Sequence, residues 1–184
     1  MRHSETEWSD AGRHTSRTDL PLTGAGRAWA AHLAPVLTTA DFSLVLTSPR
    51  IRARDTAALA GFADAEVDPN LAEWDYGELE GLTTAQIRGR GAEWSAWTIF
   101  TGAVPGGETA EQVAARAAAV LDRASAAGGN VLLFAHGHLL RVLTAVALRL
   151  DPRAGARFAL EPAMVSIIGA EHGEPALFAL NRGS

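Results

Sequence analysis

The chain of 184 residues contains no cysteine and no lysine, and all sixteen of its basic residues are arginine. The first absence excludes disulfides, thiolate metal sites and a cysteine nucleophile, and it agrees with a reducing compartment. The second excludes a Walker A phosphate loop, a pyridoxal Schiff base and a lysine-activated serine. Asp-x-Asp, G-x-S-x-G and H-E-x-x-H motifs are also missing. No run of eighteen apolar residues occurs, and Met1-Arg2-His3-Ser4-Glu5 is unlike a signal peptide, so a cytoplasmic protein with no membrane partner is expected. The net charge of −5 offers no basic footprint for nucleic acid. What remains for chemistry is histidine, carboxylate and arginine.

The hydrophobic pattern alternates helix and strand. Thr23 is expected to cap a helix running to Thr38, with Trp29, Leu33, Val36 and Leu37 on one face. Phe42 to Thr47 reads as a buried strand, Arg50 to Gly61 as a helix, and Glu66 to Asp68 as a short extended piece. Thr83 to Phe100 looks helical with interruptions at Gly89 and Gly91, and an alanine-rich helix is expected from Thr109 to Ala127. Val131 to Ala135 is an unbroken apolar run, as in a strand covered on both faces. A helix from Leu139 to Leu150 follows, then strands near Val165 to Ile168 and Ala176 to Leu180. The length fits one domain, and the alternation predicts an α/β fold of three α/β/α layers around a mixed, mostly parallel sheet.

Four separated segments carry polar residues that a core would not choose: Arg2-His3, Arg50-Ile51-Arg52, Glu73 and His136-Gly137-His138. In a parallel sheet such residues gather at the carboxyl ends of strands, where ligands bind. Imidazole, guanidinium and carboxyl groups together suit a phosphate ester: arginine forks neutralise oxygens, an imidazole attacks phosphorus, and an acid protonates the leaving alcohol. The helix opened by Gly137 would point its free N–H groups at that anion. Taken singly, each signal has a blander reading. Arg50 to Arg54 could be a solvated helix face and Glu73 a surface carboxylate. His136 and His138 on a strand could be two metal ligands. His14, His32 and His172 read as surface or satisfied histidines, and Gly24-Ala25-Gly26 is a poor dinucleotide signal.

In their order along the chain the pieces resemble the histidine phosphatase superfamily, in its phosphoglycerate-mutase-like branch. The resemblance rests on Arg2-His3-Ser4-Glu5-Thr6-Glu7-Trp8, on Gly12-Arg13-His14-Thr15, and on Thr47 to Ala57. It continues through Leu71 to Gly77 with Glu80-Gly81, Pro105 to Thr109, and Phe134 to Arg141. It implies that His3 becomes phosphorylated, that Arg2, Arg52 and His136 complete the phosphate pocket, and that Glu73 serves as proton donor and base. It also implies that Ser9, Thr15, Ser16 and Tyr76 contact substrate and that the N–H of Gly137 lies beside the phosphate. No metal ion and no cofactor are implied. The substrate would be a small phosphorylated metabolite, and a homodimer is left open.

Serine at positions 4 and 16 stands where this resemblance leads one to expect glycine, and only Met1 precedes the Arg-His pair where a hydrophobic strand is expected. An upstream start is therefore expected, with His3 badly aimed if the chain truly begins at Met1. Within the superfamily the short Thr83 to Val104 segment, with Trp94, Trp97 and Phe100 but only Arg88 and Arg90, resembles small acid phosphatases and sedoheptulose-bisphosphatase-like members. Metal-independent hydrolysis through a phosphohistidine is the reading that follows. The alternatives are a phosphoglycerate mutase and a catalytically weakened phosphate-ester-binding member. An acidic optimum is expected, on the grounds that His136 should be protonated to stabilise charge and that Glu73 must be protonated when it acts as acid.

Overall fold

The computed structural model describes residues 1–37 and 40–183. Three strands form a parallel sheet in the order β2 (Glu66–Val67), β1 (Leu44–Thr47) and β3 (Val131–Phe134). Leu44 lies opposite Val131 and Thr47 opposite Phe134, while Leu46 lies opposite Glu66. Side chains alternate across the pleat, so β1 and β3 each feed two cores, whereas both residues of β2 are exposed. Leu44, Leu46, Leu133 and Ala135 pack on one face. Val45, Leu132 and Phe134 pack on the other. Burial on both faces is why these runs are apolar throughout.

Helix α6 (Ala110–Ala127) and helix α7 (Gly137–Ala147) cover the first face. Thr109 and Gln112 close a capping box that starts α6, and Ala110, Val113, Ala117 and Val120 form its buried stripe. The other face is covered by α2 (Gly24–His32), α3 (Ala34–Leu37) and α4 (Ile51–Leu59), through Leu33, Leu37, Ala57 and Ala60. The expected three layers are thus present.

The single helix expected from Thr23 to Thr38 is two helices. Thr23 caps the first as expected, but the chain turns at Leu33 just before Pro35, whose ring and missing N–H interrupt a helical ladder. Its expected apolar face is also corrected, since Gly26, Ala30, Leu33 and Leu37 are buried whereas Trp29 and Val36 are exposed. Thr38, the expected end of that helix, lies outside the described residues. Between Thr83 and Phe100 only α5 (Thr84–Arg88) and a 3-10 turn (Ala92–Trp94) are helical. Helix α7 begins two residues earlier than expected, with His136 as its N-cap. The last strands, β4 (Val165–Glu171) and β5 (Glu174–Arg182), are longer than expected and form an antiparallel hairpin.

Residues 1–3 extend the sheet beside β3. The Met1 amine donates to the Leu133 carbonyl (2.7 Å), the Ala135 amide to Met1 (3.0 Å) and the His3 amide to Ala135 (2.8 Å). Arg2 and Ala135 form a parallel bridge. On the opposite side the Ala163 amide donates to the Arg2 carbonyl at 3.2 Å. The expectation that His3 would be badly aimed from so short a lead is therefore corrected: backbone pairing on two sides holds it.

Candidate active site

Three carboxyl ends meet at the top of the sheet. The N-terminal segment delivers His3, β1 leads into Ser48 and then Arg52 in the first turn of α4, and β3 leads into His136. The Ser48 amide donates to the Phe134 carbonyl at 2.9 Å, which ties the two strand exits together. His3 and His136 stand edge to face with ring centroids 5.1 Å apart.

The tautomer of His3 follows from the hydrogen bond that its ring makes among the described residues. Its Nδ1 lies 2.7 Å from the Ser4 carbonyl oxygen, which can only accept, so Nδ1 carries the proton and Nε2 keeps its lone pair. Burial holds the His3 pKa well below the ordinary histidine range, and the charges of Arg52 and Arg2 push it further down. A neutral imidazole with a free Nε2 is a nucleophile.

Arg2 donates from Nη1 to the Leu160 carbonyl, and its buried Nε–H has no partner among the described residues. An unspent guanidinium donor in a polar cavity is a site for an anionic oxygen. Gly137 lies against it, since a Cβ placed there would sit 3.4 Å from Arg2 Nε.

Glu73 enters from the loop after the Pro69–Leu71 turn and is 7% exposed. Its Oε1 accepts from the amides of Trp74 and Leu139, each at 2.8 Å, and its Oε2 from the amide of His138 at 3.0 Å. The N–H groups of His138 and Leu139, second and third in α7, thus hold the Glu73 carboxylate, which corrects for these two the expectation that they point freely at a bound anion.

A cavity of about 250 Å³ opens in front of these groups. Arg2, His3, Ser9, Thr15, Glu73, Tyr76 and Gly137, all singled out from the sequence, line it. Three predicted residues stand behind that wall instead. His136 and Arg52 are 0% exposed and Ser16 is 2% exposed. Arg52 spends its guanidinium on the protein, donating to His136 Nδ1 (3.2 Å) and to the carbonyls of Thr18 (3.1 Å), Thr15 (3.0 Å) and Ser16 (3.4 Å). His136 completes the chain at Ser48 Oγ, 2.7 Å from Nε2. A guanidinium only donates, so His136 Nδ1 is unprotonated and Nε2 carries the hydrogen. Burial, then Arg52 and His3, depress its pKa well below the ordinary value. The expectation of a protonated His136, one of the two grounds for an acidic optimum, is corrected.

The loop carbonyls that receive Arg52 are themselves held by Glu80, whose carboxylate accepts from the Ser16 amide, the Ser16 hydroxyl (2.7 Å) and the Thr18 amide (3.0 Å). Ser16 therefore serves the loop rather than the cavity. Its hydroxyl also accepts from the Tyr76 amide at 3.3 Å.

The cavity gains residues that sequence reasoning missed. His14, read as a surface or satisfied histidine, is 8% exposed and lines the wall with its neighbour Arg13. Its pKa is pushed down to about 4 by burial. His138 also lines it, and its Nδ1 lies 2.6 Å from the Tyr76 hydroxyl. His136 and His138 thus face different partners on a helix start, which removes the paired-ligand reading. Among the described residues no three His, Asp or Glu gather as a metal-ligating group. Arg141, set over the Phe100 ring at 4.6 Å, completes the wall. The signal for His14 was its place in Gly12-Arg13-His14-Thr15, where only Thr15 was assigned.

Fold and site together define an α/β protein with an imidazole and an unspent guanidinium in a cavity at the carboxyl ends of parallel strands. Residues 1–183 match the model of the histidine phosphatase superfamily (branch 1), and the chain belongs to that family. It is 42% identical over 177 residues to the acid phosphatase of Mycobacterium tuberculosis (strain ATCC 25618 / H37Rv), covering 94% of this chain and 86% of that protein. It is 31% identical to the sedoheptulose 1,7-bisphosphatase of Saccharomyces cerevisiae, covering 79% of this chain and 65% of that one. Among solved structures, the product of the open reading frame Rv3214 of Mycobacterium tuberculosis superposes with a TM-score of 0.91 at 40% identity, covering 99% of this chain and 95% of that chain. No helix among the described residues is long and apolar enough to cross a membrane.

Proposed function

We propose that this protein hydrolyses small phosphate monoesters through a phosphohistidine formed on His3. The observation that carries the proposal is the pairing of a neutral His3, its Nε2 lone pair free, with the unspent Arg2 Nε–H in one cavity. His3 Nε2 attacks phosphorus, the N–P bond forms and the P–O bond to the alcohol breaks. Glu73, as the carboxylic acid, gives its proton to the departing oxygen. Water then attacks the phosphohistidine while the Glu73 carboxylate takes its proton, the N–P bond breaks, and phosphate leaves with His3 and Glu73 restored.

Arg2 bears the developing charge on the phosphoryl oxygens, with donors fixed before reaction. Arg52 and His136 act from behind. Arg52 supplies positive field and helps keep His3 unprotonated, and His136 orients Arg52. Ser9, Thr15, Tyr76 and Gly137 form the wall that meets the ester. Transfer to water rather than to a bound acid is supported by the identity to the acid phosphatase.

The test is hydrolysis of p-nitrophenyl phosphate in the presence of a metal chelator, with alkaline quenching of the phosphate-labelled enzyme followed by exposure of portions to acid and to alkali. An acid-labile, alkali-stable phosphoenzyme is expected. Undiminished hydrolysis by His3→Ala would overturn the assignment.

A further inference from the structure

We infer that Ser4 is a positioning residue for the His3 nucleophile: its hydroxyl, seated on α2, fixes the peptide unit whose carbonyl dictates the His3 tautomer. This rests on the proposed role of His3. Ser4 is 1% exposed and lies off the cavity wall, so it does not meet the ester. Its Oγ donates to the Gly26 carbonyl at 2.7 Å, and its amide donates to Thr56 Oγ1 at 3.0 Å. Thr56 in turn donates to the Arg52 carbonyl at 2.6 Å. The Ser4 unit is thereby held to α2 through its side chain and to α4 through its backbone. The remaining group, its carbonyl, receives His3 Nδ1–H at 2.7 Å.

Gly26 makes this seat available. A Cβ there would fall 2.3 Å from the Glu5 carbonyl oxygen, so only glycine lets the chain after the nucleophile lie directly on the first turn of α2. Ser4 itself is not among the residues with positive φ, so serine is accommodated without backbone strain. The consequence is chemical. If the Ser4 carbonyl swings away, nothing obliges the proton to stay on Nδ1, and every molecule with hydrogen on Nε2 lacks the attacking lone pair.

The experiment combines ring-nitrogen NMR of His3 with turnover of p-nitrophenyl phosphate, in the parent, Ser4→Ala, Ser4→Gly and Thr56→Val. The parent is expected to show only the Nδ1–H tautomer at neutral pH. Ser4→Ala is expected to show both tautomers and a kcat lower by about tenfold, the size of one lost hydrogen bond, with KM little changed. Ser4→Gly should lose more, because the backbone gains freedom as well. Thr56→Val, which leaves the Ser4 hydroxyl in place and removes the acceptor of its amide, gives the same readout should the Ser4 variants fail to fold. A parent-like tautomer and kcat in the folded variants overturns the inference, whatever happens to the melting temperature. A tautomer shift in Ser4→Ala alongside undiminished hydrolysis by His3→Ala would instead leave the Ser4 anchor standing and remove the phosphohistidine reading.

Discussion

Arg52 donates from Nε to Nδ1 of His136 at 3.2 Å, so the most enclosed cation of the site rests on the imidazole that was expected to share its work on phosphate. The pair is possible only while His136 is neutral. Two residues expected in the phosphate pocket thus bond to each other, beside the His3 ring against which His136 packs.

Replacing Arg52 by lysine tests that bond. One ammonium cannot serve His136 and three loop carbonyls together, and the site is closed to water. A loss of about 3 kcal/mol in unfolding free energy is expected from leaving buried acceptors unpaired, together with a fall in kcat/KM. Urea unfolding and steady-state kinetics read both, and a lysine variant as stable as the parent would contradict the arrangement.

Glu73→Gln separates proton donation from positioning. The amide cannot protonate an alkoxide, and because both Glu73 oxygens accept backbone N–H groups its NH2 also meets a donor, a cost in stability that falls equally on every ester. Hydrolysis of an alkyl phosphate is expected to fall by about a hundredfold or more, and that of p-nitrophenyl phosphate, whose leaving group needs little help, by far less. Equal losses on both esters would remove Glu73 from the role of acid.

Glu80 never touches the cavity, yet it holds the loop on which Arg52 rests. In Glu80→Gln one acceptor becomes a donor facing the Ser16 and Thr18 amides. Destabilisation of about 1–3 kcal/mol is expected, with kcat/KM falling in parallel. Unchanged kinetics in a measurably destabilised variant would show that the loop does not govern Arg52.

Acid should weaken the fold, because several imidazoles are held neutral in it. His14 has a folded pKa of about 4 against about 6.5 when unfolded, so between those values the unfolded chain binds more protons and stability rises with pH. The loss is absent above pH 6.5 and approaches about 3 kcal/mol for His14 alone near pH 4. His3, His136 and His138 are shifted in the same direction. Urea midpoints at pH 7 and pH 5 should differ clearly; coincident midpoints would mean these imidazoles are not buried and neutral.

Much of the fold was readable because its signals are local. The apolar runs at Leu44 and Val131, the capping box at Thr109 and the strand-to-histidine step at Phe134 to His136 all follow from neighbours in the chain. The misreadings arose where a local pattern met a longer-range condition. Trp29 and Val36 sit at helical spacing, yet the surface offered to α2 and α3 admits only Gly26, Ala30, Leu33 and Leu37. Ser16 was assigned to substrate from its motif, whereas its hydroxyl is taken by Glu80, sixty-four positions away.

The sequence by itself determined which residues could do chemistry, since a chain with neither cysteine nor lysine leaves imidazole, guanidinium and carboxyl groups. It also determined their order and the strands that carry them, because the period of hydrophobic residues is a property of neighbours. Only the tertiary structure decided which groups reach the cavity and in what protonation state. His3 keeps its Nε2 lone pair because the Ser4 carbonyl holds its Nδ1 proton, and His136 is not protonated because Arg52 needs its lone pair. Those are contacts of specific atoms brought together from distant segments, and composition and spacing do not encode them.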